Sequence, residues 1–184
     1  MSGLGASAAL AVLLGWLVFV LAGWAVSTPL AAGLGLLIGA GVAFGLQGSV
    51  AVGGAVALLA PFGVMLPALA LRHMAMGAGM PMVPFGTSEL VVFLLGYTAF
   101  LCAAFGLLPI DLYRMGYAPL PVAVMVLAVC AYGAATGNWF LPLIAVLGQA
   151  FWVMGWGSSN WFDYVLHVMM WPAAVVVLLG RLVG

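Results

Sequence analysis

Residues 30–46 read LAAGLGLLIGAGVAFGL, with no charged side chain and five glycines among them. An uninterrupted apolar stretch of this length suits a helix across about 30 Å of hydrocarbon, which takes roughly 17–25 residues. Its glycines are placed as Gly35/Gly39 and Gly41/Gly45, two small-xxx-small pairs. That spacing lets helix backbones approach closely in lipid, so both pairs are expected to pack against neighbouring helices.

The rest of the chain is of the same kind. Of 184 residues 68% are apolar, and only three Lys+Arg and three Asp+Glu carry formal charge. Soluble domains carry about a quarter charged residues, so soluble enzymes, disordered tails and disulfide frameworks are excluded together. A net charge of zero and a pI near 6.7 leave no basic patch for a polyanion, which excludes nucleic-acid binding. Cys102 and Cys130 each lie in an apolar run, where a small polarizable side chain serves as packing material.

Seven runs have spanning length: Ala6–Val26, Leu30–Leu46, Val50–Leu71, Leu90–Leu108, Leu120–Thr136, Trp139–Trp156 and Trp161–Val183. Three breaks between them are so short that one could lie inside a re-entrant piece, so the expected fold is an all-α integral membrane protein, a single polytopic bundle (1–184) of six or seven transmembrane helices. The first run lacks a basic flank and reads as a retained helix, not a cleaved signal. Two longer connections, Arg72–Glu89 and Pro109–Pro119, hold most of the polar chemistry. With seven spans the arginines bias one face by a single residue, which assigns no orientation.

Aromatic side chains repeat at helical spacing in two runs. Phe93, Tyr97 and Phe100 share one face of the fourth, and Gln149, Trp152 and Trp156 share one face of the sixth. Two such faces meeting would wall a narrow, flat path for a dehydrated solute; the competing reading puts the rings in lipid or at the interfacial belt, which suits Trp139, Trp156 and Trp161 at run ends. Asp163, His167 and Trp171 fall on one stripe of the last run, so Asp163 and His167 are candidate gating residues, with a structural hydrogen bond near the helix start as the alternative. His73, Met74, Met76, Met80 and Met82 offer soft ligands suited to Cu(I), although methionine is also adaptable apolar filler in a chain with 11 copies of it. Ser7 reads as an N-cap residue; its Gly5-Ala6-Ser7 setting only superficially resembles a rhomboid serine motif, and no enzyme is expected.

Three stretches together resemble the AmiS/UreI family of acid-gated urea channels and short-amide transporters. They are Leu34-Gly35-Leu36-Leu37-Ile38-Gly39-Ala40, Leu95-Gly96-Tyr97-Thr98-Ala99-Phe100, and Gly137-Asn138-Trp139-Phe140 through Gly148 and Trp152. The resemblance implies six helices per protomer, a homohexamer, and a pore in each protomer lined by Tyr97, Phe100, Trp152 and Trp156. The run Val50–Leu71 has no counterpart in that family, and His167 or Asp163 would replace the family's last-helix carboxylate. The outline is also similar to the YaaH-type acetate transporters, whose Asn-Pro-Ala-Pro signature is absent.

The function expected is a channel or facilitator for a small, mostly uncharged solute such as urea or a short amide, pH-gated through Asp163 and His167, in a bacterial inner membrane and with no cofactor. No Lys or Arg sits deep in a run, whereas a charged solute normally needs a cationic site at depth. The alternatives are a noncatalytic subunit of a larger membrane complex and a monocarboxylate or copper-handling transporter.

Overall fold

A computed structural model describes residues 3–59 and 63–183, and every regular element among them is helical. Contacts within the chain fall into two units, Met1–Met82 and Val83–Gly184.

The first unit is organised by a helical hairpin, α1 (Gly3–Ala22) and α2 (Thr28–Gly45). A proline in the first turn of α2, Pro29, fixes a helical φ where no intrahelical N–H bond is needed. The buried residues of α2 are Ala31, Gly35, Gly39 and Ala43, a ridge at every fourth position. Along that ridge the two backbones touch: a Cβ on Gly15 would lie 2.9 Å from the Gly35 carbonyl oxygen, and one on Gly39 would lie 2.6 Å from the Gly15 nitrogen. Gly35/Gly39 is therefore the packing pair. Gly41 and Gly45 have nothing within 4 Å. Two residues advance a helix by about 200°, which turns the second pair away from α1 and corrects the expectation that both pairs pack. Ser7 is also not a cap: it is buried one turn inside α1, where its hydroxyl accepts from Gln47 Nε2 at 2.8 Å and ties the ends of the hairpin.

The apolar run 50–71 divides into α3 (Val50–Leu59) and α4 (Met65–Gly77), with Gly63 at φ 55° before α4 and residues 60–62 outside the described part. Helix α4 continues beyond Leu71 through Arg72 and His73, which the sequence placed in a loop, because both side chains are taken up by the fold. Arg72 is buried, and His73 is bonded to α1. The connection after α4 is therefore confined to 78–86. It starts with a left-handed Gly79 at φ 87°, whose N–H bonds the Met76 carbonyl at 3.0 Å while Met80 N–H bonds Ala75 at 3.0 Å, closing the last turn of the helix.

The second unit contains α5 (Thr87–Ala104), a 3-10 turn (Tyr113–Tyr117), α6 (Pro119–Thr136), α7 (Phe140–Val153), α8 (Phe162–Val165) and α9 (Met170–Val183). Gly137, at φ 71°, ends α6 and lets α7 start at once, so the two are antiparallel neighbours. Helices α5 and α9 are also antiparallel: Trp171 Nε1 donates to Thr98 Oγ1 at 2.9 Å, and Arg181 donates to Thr87 Oγ1 at 3.1 Å and to the Phe85 carbonyl at 2.7 Å. At the Arg181 end Glu89 accepts from the Gly86 N–H, which caps α5, and from the Tyr132 hydroxyl, which joins α5 to α6.

Five stretches are long and apolar enough to cross a membrane: Gly5–Ala22, Thr28–Gly45, Thr87–Ala104, Pro119–Thr136 and Phe162–Val183, the last containing α8 and α9 in succession. Phe140–Val153 is apolar but shorter, at 14 residues. The chain is an integral membrane protein of helical class, and the outward faces of its helices carry side chains such as Val92, Leu95, Leu120 and Leu127, each exposed and apolar.

Candidate functional site

The most developed arrangement of aromatic and polar groups is in the second unit. Phe93, Tyr97 and Phe100 lie on one face of α5, as their spacing requires, and their rings stack with centroids 5.4 and 6.1 Å apart. The column continues from Phe100 to Phe162 at 4.7 Å and to Tyr113 at 6.2 Å. Tyr97, its middle member, is buried.

Asp163 lies beside the Phe162 end of this column. The Tyr113 hydroxyl donates to both of its carboxylate oxygens at 2.8 and 2.9 Å, and Ser158 Oγ donates to Oδ2. Tyr97 and Tyr164 lie within electrostatic reach of the same carboxylate. Burial first, and then the bond to Asp163 and its charge, push the Tyr113 phenol far above its ordinary value, so it remains a protonated donor.

Asn160 holds the surroundings in place. It is fully buried; its Nδ2 donates to the Tyr113 carbonyl at 2.8 Å, its Oδ1 accepts the Phe162 N–H at 2.9 Å, and its own N–H donates to Ser158 Oγ at 3.0 Å. Trp161 N–H donates to the Gly116 carbonyl at 2.9 Å. Gly116 is required here because a Cβ would collide with the Asn160 side chain. The carboxylate, its phenol and the segment 158–162 thus form one polar knot at the end of a ring column.

Of the residues singled out in the sequence, Tyr97, Phe100 and Asp163 come together in this arrangement. Gln149 and Trp152 are half-buried on α7, where Trp152 Nε1 donates to the Ser159 carbonyl at 2.7 Å. Trp156 does not share their helical face, because α7 ends at Val153 and Gly155 takes φ 67°; its ring instead stacks on Phe151 at 5.0 Å and is half exposed. The Asp163–His167–Trp171 stripe is likewise broken. Helix α8 stops at Val165 and Leu166 is extended, so the i, i+4 relation fails. His167 is buried with Nδ1 accepting from the Met169 N–H at 3.1 Å, and Trp171 turns to Thr98. Asp163 instead accepts from Tyr113 and Ser158. Tyr113, Ser158 and Asn160 carried no periodic signal and were not singled out.

The copper set is also divided. His73, Met74 and Met76 are helical; Met74 is buried against Phe19 and Ala31, whereas Met76, Met80 and Met82 are exposed. His73 Nδ1 accepts the Trp16 Nε1–H at 3.2 Å, with the Trp16 and Phe19 rings set edge-on to the imidazole at centroid distances of 6.2 and 6.0 Å. This bond uses the Nδ1 lone pair, the one that a neutral Nε2–H imidazole would offer to a metal.

Comparison with protein-family models, curated proteins and solved structures finds no match.

Proposed function

We propose that the protein is a channel or facilitator passing a small, mostly uncharged solute such as urea or a short amide across a membrane. The observation that carries the reading is the ring column ending at Asp163. Flat rings followed by hydroxyl and carboxylate groups form one wall along which a flat, hydrogen-bonding molecule exchanges hydration for contacts in steps. The electrostatics agree: from α5 to α9 the only Lys or Arg residues are Arg114, exposed in the 3-10 turn, and Arg181, in the last turn of α9 and bonded to Thr87 and Phe85. The finer expectations of this reading are six or seven spans, a homohexamer by resemblance to the AmiS/UreI family, and a bacterial inner membrane.

Proteoliposome flux tests it. Urea permeability should rise with protein, and equal permeability with and without protein rejects the reading. Tyr97→Phe separates chemistry from packing, because it keeps the buried ring and removes only the hydroxyl near Asp163. It should leave the melting temperature nearly unchanged while altering urea flux several-fold. Tyr97→Ala should instead lose about 3–5 kcal/mol of stability through the cavity left in the column. If Tyr97→Phe conducts as the parent does, the hydroxyl is not on the path.

Two observations favour other readings. Arg72 is a buried cation in α4, just past the apolar run 50–71, and a buried cation suits a monocarboxylate; acetate-dependent proton flux would select that version. Gly41 and Gly45 present an open small-residue face on α2, as a noncatalytic subunit of a larger complex would; a chain that is stable only beside a partner would select that one.

A further inference from the structure

Asp163 carries a charge that the chain does not balance. Its carboxylate takes hydrogen bonds from two neutral hydroxyls, those of Tyr113 and Ser158, and no Lys, Arg or His pairs with it among the described residues. The cations of the second unit are placed elsewhere. Arg181 is bonded to Thr87 and Phe85 where α9 ends, and Arg114 is exposed beside Asp111, whose carboxylate accepts the Arg114 backbone N–H at 3.0 Å. Asp111 and Arg114 cancel formally, which leaves Asp163 as the net charge of this end of the unit. A charge partly withdrawn from water is as a rule paired with an opposite one, and hydroxyl donors spread a charge without cancelling it.

The surroundings restrict what the counter-ion can be. Tyr113 bridges the two carboxylate oxygens and Ser158 approaches Oδ2, which leaves Oδ1 with a free lone-pair position. One free position suits a single N–H donor, whereas a hard metal ion gathers six or more oxygens. Rings make up the neighbourhood: Phe162, next to Asp163 in the chain, is stacked with Tyr113 at 6.4 Å and lies 4.7 Å from Phe100. Aromatic rings attract ammonium groups through their faces. Asp163, Tyr113, Ser158 and Phe162 are each only partly buried, so the cluster is reached from outside the protein. We infer that the Asp163 carboxylate, with the rings of Tyr113 and Phe162, is a binding point for ammonium or a small protonated amine. The inference goes beyond the channel reading, since it assigns a cation, and it does not depend on urea passing.

The chain has only two aspartates, Asp111 and Asp163, so ¹³Cγ-aspartate labelling of the full protein in detergent micelles gives two carboxyl signals. Loss of one in Asp163→Asn assigns them. The probe is ammonium chloride at about pH 7.5, where an ordinary aspartate is ionised, with sodium chloride of equal ionic strength as the reference. The Asp163 signal should move and saturate with ammonium and stay in place with sodium, while that of the exposed Asp111 should only drift. Phe162→Leu removes a ring and keeps an apolar side chain. It should raise the half-saturating ammonium concentration about two- to fivefold, the equivalent of one partly exposed contact between a cation and a ring. An Asp163 signal that follows Asp111, equal saturation by sodium, or an unchanged half-saturation in Phe162→Leu each overturns the inference. So does a signal already at the carboxylic-acid position at that pH, which would mean that a proton balances the charge. The two proposals fail separately: liposomes without urea flux reject the channel, whereas a saturable, ammonium-specific shift in micelles supports the binding point whether or not flux is seen.

Discussion

Valine at position 39 is expected to prevent the α1–α2 hairpin from closing, while valine at position 41 of the same helix should be tolerated. Both positions are glycine in the same turn of α2, so helix propensity changes almost equally in the two variants. What differs is the surroundings. A Cβ on Gly39 would meet the backbone of α1 at Ala11 and Gly15, with 2.9 Å to the Gly15 Cα, and backbone cannot rotate aside as a flexible side chain can. On Gly41 the same atom meets nothing within 4 Å. The helices would have to separate along the ridge from Ala31 to Ala43, losing the close contact that holds helices together in lipid, where no hydrophobic force replaces it. Gly39→Val should cost at least about 3 kcal/mol, the upper end for an overpacked core. Thermal unfolding in detergent checks this, and equal melting temperatures for the two variants would show that α1 and α2 do not cross at Gly15.

The same contrast shows what a sequence of this kind discloses. Hydropathy located four helices to within four residues at each end: α1, α2, α5 and α6 match the runs 6–26, 30–46, 90–108 and 120–136. Which face of each helix packs was less legible, since Gly35/Gly39 and Gly41/Gly45 are the same motif until α1 selects one. Run length also hid breaks. Pro172 is the third residue of α9, where it has no N–H for the Val168 carbonyl and disfavours helix before it, which fits the break seen between α8 and α9. That signal was present in the sequence, and with it the Asp163–His167 stripe falls. The ring spacing in α5 is local and was readable. The partners of Asp163 were not: Tyr113 is 50 residues away, in a 3-10 turn without periodicity, and only the folded chain brings its hydroxyl to the carboxylate.

Asn160→Ala should strongly destabilise the second unit. The side chain is fully buried and serves two backbone groups, the Tyr113 carbonyl at 2.8 Å and the Phe162 N–H at 2.9 Å. Alanine leaves both without their partner; a buried group so deprived costs about 1–3 kcal/mol, and two of them about 2–6 kcal/mol. Loss of order should also spread to the site, since Tyr113 and Phe162 are the residues that bring a phenol and a ring to Asp163. Gly116 provides the control. Gly116→Ala alone should be nearly as harmful, because its methyl would collide with the Asn160 side chain. In the double variant the collision with Asn160 is gone and only the one with the Phe162 ring, 2.7 Å from such a methyl, remains, so the combined loss should be below the sum of the two single losses, a coupling of at least about 1 kcal/mol. Melting temperatures of the parent, the two single variants and the double variant complete the cycle. Strict additivity would mean that Gly116 and Asn160 are not in contact and that the turn at 113–117 is held by other groups.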